Sequence, residues 1–135
     1  MVECRLQQIA LVARTALALV FLWHGLVPKI LWLSPDEVAM IEAHGLPAAA
    51  QVAMLAGVAE VLLAALLMLL RRRRWPLLLA GLVLVGLLVD VVLFSPHLLI
   101  QAFNPLSTNL AALALCLLAW LAEGPSKTST ARARV

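Results

Sequence analysis

Glu60 stands near the middle of a long apolar run, with Val58, Val61, Leu62, Leu63, Leu66 and Leu67 around it. A carboxylate at the centre of a membrane helix costs about 2.5–3.5 kcal/mol on insertion scales, and each Leu or Val offsets about 0.3–0.6 kcal/mol. The helix therefore still inserts, but Glu60 should face protein rather than lipid. An acid held this way can carry a proton or neutralise a cation. At helical spacing Ala49, Ala53, Ala56, Gly57 and Ala64 share its face. Such small residues let a neighbouring helix approach closely. Arg14 lies inside another apolar run. Its long side chain could reach Glu60, making the two an intramembrane pair, or snorkel towards the inner surface.

Four more polar residues fall near helix ends: His24, Lys29, Asp90 and Asn109. His24, Asp90 and Asn109 lie three or four residues inside the expected outer boundary, roughly 4–6 Å at 1.5 Å per residue. Unpaired polar groups are costly there, so they should seek each other or a ligand. Lys29 starts just outside and can bend its stem inward. A quinone-like ring, which needs an apolar slot and a hydrogen-bond donor, would suit this cluster. So would an anionic head group. The plainer reading is interhelical glue: ion pairs and hydrogen bonds that fix the helices together.

Other chemistries find little support. His24, His44 and His97 with Asp90 and Glu42 could suggest a metal, but no pair has the spacing of a helical zinc motif. No metal site is expected. Cys4 and Cys116 form no CxxC pair. A Rossmann glycine pattern, a haem motif and a nucleophile elbow are all lacking. No residue is assigned a catalytic role, and whether the chain is an enzyme stays open.

The elements that must position these residues follow from hydropathy. Apolar types make up 64% of the 135 residues and charged types 13%. A soluble domain carries about 45–50% and about 25%. The surplus lies in long runs, and about 20 residues span a bilayer core. Four such helices are expected, at about 9–27, 48–70, 76–94 and 106–122. The fold class is an all-α membrane bundle of four transmembrane helices over residues 1–123. Arg5 before the first run could mimic a secretory signal, but Arg14 interrupts the run, so a retained helix is expected.

Between the first two spans, Ser34-Pro35-Asp36-Glu37 reads as a helix start. Ser34 can cap, Pro35 suits the first position and Glu37 can complete a capping box. A short external helix at about 35–44 should end at Gly45. Residues 95–105 are too apolar for a free loop and should lie on the membrane interface. Residues 124–135 form a basic tail expected to be disordered.

Arg5, Arg14, Arg71, Arg72, Arg73, Arg74, Lys127, Arg132 and Arg134 fall on one side of this scheme and Lys29 on the other. The positive-inside rule puts both termini in the cytoplasm and the chain in a cell (inner) membrane. Trp23 and Trp32 mark the outer boundary, and Trp75 and Trp120 the inner one. The net charge of +3 is explained by a phospholipid surface, and no nucleic-acid partner is expected.

The stretch Phe21-Leu22-Trp23-His24-Gly25-Leu26-Val27-Pro28-Lys29-Ile30-Leu31 resembles the signature of the DoxX-like integral membrane proteins. Glu37, Ala56-Gly57 with Glu60, and Phe103-Asn104-Pro105 with Asn109 resemble its later positions. The resemblance runs from about Arg14 to Leu121. It implies a four-helix membrane bundle. It also implies a link to quinone-dependent oxidation of reduced sulfur, since a subunit of that kind gives the family its name. The absence of a cysteine redox pair counts against a direct thiol mechanism.

The leading functional expectation is an accessory subunit of a membrane redox system, holding a quinone or lipid-like ligand beside a redox partner or a second copy of itself. The alternatives are a small transporter or proton-handling protein centred on Glu60, and a structural or assembly protein.

Overall fold

The computed structural model describes residues 2–124. The expected disordered tail therefore lies outside the described residues apart from Gly124. Every regular element described is helical. Helix α1 spans Val2–Leu26 and runs on through a π-helical turn, Val27–Leu31. A short α2 covers Pro35–Ala43. Helices α3 (Ala49–Leu69), α4 (Trp75–Phe94) and α5 (Pro105–Ala122) follow, with a 3₁₀ turn at Pro96–Ile100 between the last two. Four helices are long and apolar enough to cross a membrane, the first counted through to Leu31. The first is longer than expected at both ends.

The packing is inside-out relative to a soluble bundle. Ala13, Ala18, Ala53, Ala64, Ala80, Ala112 and Ala119 are buried. Leu19, Leu62, Leu82, Leu93, Leu117 and Leu121 are each more than half exposed. In water so much outward leucine would be a standing aggregation hazard. In lipid it costs nothing, while small interior residues let backbones meet and gain dispersion contacts. The chain is a multi-pass membrane protein.

Helix α1 is the hub: it packs most extensively on α3 and next on α5, while α4 lies mainly on α5. Their shared core includes Leu17, Phe21, Leu63, Leu67, Leu77 and Leu84. Cys116 donates to the carbonyl of Leu77 at 3.1 Å, tying α5 to α4. Both cysteines are free.

The caps follow the sequence in part. Ser34 accepts from the Asp36 N–H at 3.2 Å and Pro35 opens α2. Gly45, with φ +69°, follows its end. The capping box, however, is not completed. The Ser34 N–H goes to the carbonyl of Pro28 at 2.8 Å, and Glu37 turns towards Lys29 instead. Asn104 caps α5 by accepting from the Ser107 N–H at 2.8 Å. In the connection before it, Ile100 is 88% exposed and Phe103 is 97% exposed, while Leu98 is buried.

Candidate functional site: an ion cluster on the wall of an intrabundle cavity

The site begins with a helix crossing that only glycine allows. A Cβ on Gly25 would stand 2.5 Å from the Gly57 carbonyl oxygen and 2.9 Å from the Glu60 Cβ. One on Gly57 would stand 2.6 Å from the Gly25 oxygen and 2.8 Å from the Lys29 Cβ. Both clashes involve fixed backbone, so α1 and α3 touch because both residues lack a side chain. This contact brings Lys29 alongside Glu60.

Pro28 shapes the same stretch. It has no N–H for the carbonyl one α-turn earlier, and its ring crowds that carbonyl. The helix widens instead of ending, and the Trp32 N–H reaches the Val27 carbonyl, five residues back, at 2.9 Å. Single π-turns of this kind recur at functional sites. The widened turn keeps Lys29 on the buried face that Leu17, Phe21 and Gly25 occupy lower down.

Lys29 Nζ donates to Glu60 Oε1 at 2.5 Å and lies 3.7 Å from Glu37 Oε2. The Lys29 and Glu60 side chains are only 8% and 9% exposed. Two carboxylates thus share one ammonium, leaving the cluster short of a positive charge or a proton. The shortage shows at Glu60. Glu60 Oε2 is buried and lacks a hydrogen-bond partner among the described residues. Glu37, on α2, has its pKa pushed up, first by burial, with Lys29 pulling it down and Glu60 pushing it further up.

Lys29, Glu37 and Glu60 line a cavity of about 450 Å³ at the α2 end of the bundle. Trp23 and His24 of α1, Val27 of the π-turn, Leu87 and Val91 of α4, Leu98, and Asn109 of α5 also line it, as do Ser34, Asp36, Gln101, Asn104 and Thr108. About half of the lining residues are polar or charged, so the cavity joins apolar walls to many polar groups that could orient a guest. Asn109 is buried there with no side-chain hydrogen bond among the described residues.

Of the residues expected to converge, His24, Lys29 and Asn109 line this one cavity with Glu60. Asp90 does not. It faces α2, where its Oδ1 meets His44 Nε2 at 2.7 Å. His44 Nδ1 donates to the Met40 carbonyl at 2.8 Å, and its ring lies 4.1 Å from that of Phe94. Both ring nitrogens face acceptors, a setting that suits the doubly protonated imidazolium. The Met40 carbonyl, then Asp90, accordingly raise the His44 pKa above its ordinary 6.5. A histidine with a raised folded pKa adds stability below its unfolded value and loses it as pH rises through the folded one. The thermal midpoint in detergent is therefore expected to fall as pH rises from roughly 6 to 9. In His44→Gln that slope should flatten, and an unchanged slope would remove His44 as its cause.

The expected pairing of Arg14 with Glu60 is corrected: each has a different partner. Arg14 is 1% exposed at the opposite end of the bundle. Its guanidinium binds both carboxylate oxygens of Glu123, through Nε to Oε1 and through Nη2 to Oε2 at 2.9 Å. It also donates to the carbonyls of Leu67 at 3.1 Å and Arg73 at 2.7 Å. Those carbonyls belong to the end of α3 and the loop after it, where acceptors lack partners within the helix. Glu123 was legible as a candidate: it directly follows the last apolar run, at the end where Arg14 enters. His44 gave no such signal.

Among the described residues no group of three or more His, Cys, Asp or Glu side chains is placed to hold a metal ion. No curated protein and no solved structure matches the chain. Comparison with family models does give a match, to the DoxX-like family, over residues 18–117. That span holds the glycine crossing, the π-turn, Lys29, Glu60 and Asn109, and it covers most of the sequence: the chain belongs to the DoxX-like family.

Proposed function

We propose that this protein holds a quinone or a similar lipid-borne ring in the cavity at the α2 end, as an accessory subunit of a membrane redox system. The observation that carries the reading is a buried carboxylate oxygen without a donor among the described residues, on a residue that lines a cavity with both apolar and polar walls. Glu60 Oε2 is an acceptor without a donor, and the Asn109 amide offers both donor and acceptor. The reduced form of such a ring carries a hydrogen of the kind that Glu60 lacks. The cavity, about 450 Å³, falls in the ordinary range for such ligands, about 300–1,000 Å³. A second reading, proton handling, rests on the same Glu60 oxygen, since a buried carboxylate beside a lysine is a natural proton relay.

Trp23 on the cavity wall supplies the test. Titration with a short-chain benzoquinone should quench its emission saturably, and Trp23→Phe should lose that component. His24→Ala should weaken binding about tenfold, the worth of one polar contact, with folding intact. No saturable quenching in the wild type would remove the ligand reading. Undiminished binding in His24→Ala would leave His24 a structural role.

We further propose that the arginine-rich end lies in the cytoplasm, with both termini, and α2 outside. This rests on Arg71, Arg72, Arg73 and Arg74 standing together between two spans. A reporter fused after Val135 should read cytoplasmic and one inserted near Glu42 external. Exchanged readings would invert the protein.

A further inference from the structure

A second cavity, of about 460 Å³, opens at the opposite end of the bundle. Its wall combines Gln7, Leu11 and Arg14 of α1, Arg71 and Arg72 of the α3–α4 loop, and Ala122 at the end of α5. Glu123 also lines it, but both its oxygens are engaged by Arg14. Its charge is therefore already matched. Arg71 and Arg72 are exposed, and no ion pair engages either among the described residues. The pocket thus carries two uncommitted guanidinium groups above a floor that Leu11 and Ala122 make apolar.

Its depth is fixed by its neighbours. The loop bearing Arg71 and Arg72 joins α3, ending at Leu69, to α4, starting at Trp75. Trp75 is 47% exposed, and the Arg74 guanidinium lies 4.7 Å from the centre of the Trp120 ring. Indole rings at this level mark a membrane boundary. Guanidinium forks suit phosphate oxygens, and basic pockets between transmembrane helices at such a level take anionic head groups.

We infer that this pocket binds the phosphate of an anionic phospholipid, with Arg71 and Arg72 on the phosphodiester and the start of the acyl region against Leu11 and Ala122. Four of the five N–H groups of Arg14 are already engaged, and it holds the pocket wall in place by clamping Glu123 and the end of α3.

The full chain, purified in a zwitterionic detergent and stripped of lipid, is titrated with phosphatidylglycerol and with phosphatidylcholine. Native mass spectrometry reads occupancy. Phosphatidylglycerol should bind and phosphatidylcholine should bind far more weakly. Arg71→Gln with Arg72→Gln should lower phosphatidylglycerol affinity roughly tenfold or more. Arg5→Gln, which removes a charge on α1 that does not line the pocket, should leave it nearly unchanged. Thermal midpoints of all variants are compared, so that a misfolded double variant is replaced by the single ones. Inorganic phosphate separates two sources of one chemistry. Displacement at millimolar concentration assigns recognition to the phosphate alone, and no displacement assigns it to the phosphate with its lipid stem. Equal binding of the two lipids would overturn the proposal. So would full affinity in the folded double variant, or an equal loss from Arg5→Gln.

Discussion

Replacing Lys29 with methionine is expected to destabilise the protein by about 3–5 kcal/mol, the usual cost of stripping one partner from a buried ion pair. Glu60 would keep Oε1 and Oε2 in a nearly closed site with no cation in contact, and Glu37 would lose its nearest positive charge. The double variant Lys29→Met with Glu60→Met should recover most of the loss, because two apolar side chains of similar size often serve as well as a buried pair. Arg14→Gln should not rescue Glu60→Gln, because the two residues have different partners. Unfolding of the purified protein in a graded denaturing detergent would measure each step. A Lys29→Met protein as stable as the wild type would remove the Lys29–Glu60 pair as a source of stability.

The second large effect lies at the other end. Arg14→Leu removes donors to Glu123 and to the carbonyls of Leu67 and Arg73 at once. Glu123 is 16% exposed and can recover some hydration, so about 3 kcal/mol is expected, the lower end for a broken buried pair. Here the double variant Arg14→Leu with Glu123→Leu should recover only part. The Leu67 carbonyl stays without a donor, at about 1–3 kcal/mol for a buried group left unpaired, while that of the exposed Arg73 can turn to water. Arg14→Lys should also fall short, since an ammonium cannot reproduce a planar fork that reaches four acceptor atoms. The contrast between the two double variants separates an ion pair from a helix-end clamp. Equal recovery in both would erase that distinction.

The four spans were legible because lipid imposes one strong rule, a run of about 20 apolar residues. The small face around Glu60 was legible for a related reason: Gly57 and its alanines announced a close helix neighbour. Its identity was not. Pro28 made residues beyond Val27 look like the end of the first helix, which placed Lys29 outside. Whether a proline ends a helix or only widens it depends on what packs around it. Here α3 closes on Gly25 and holds the turn inside the bundle. Once Lys29 is inside, it is nearer to Glu60 than Arg14 can be. Asp90 was misplaced for a different reason. Depth along a helix can be counted from sequence, but rotation about its axis is set by the partner, and α2 supplies His44. His24 and Asn109 share the cavity because both the depth and the face were right.

Whether the cavity beside Lys29 and Glu60 holds a lipid-borne quinone, as proposed, is tested most directly by extraction. The protein should be purified from native membranes in mild detergent, extracted with solvent and examined by mass spectrometry. About one quinone per chain is expected in the wild type, as one well-formed pocket would hold. Roughly tenfold less is expected in Asn109→Leu at equal yield and equal thermal midpoint, the effect of losing one oriented polar contact. No quinone in the wild type, or the same amount in both proteins, would contradict the proposal.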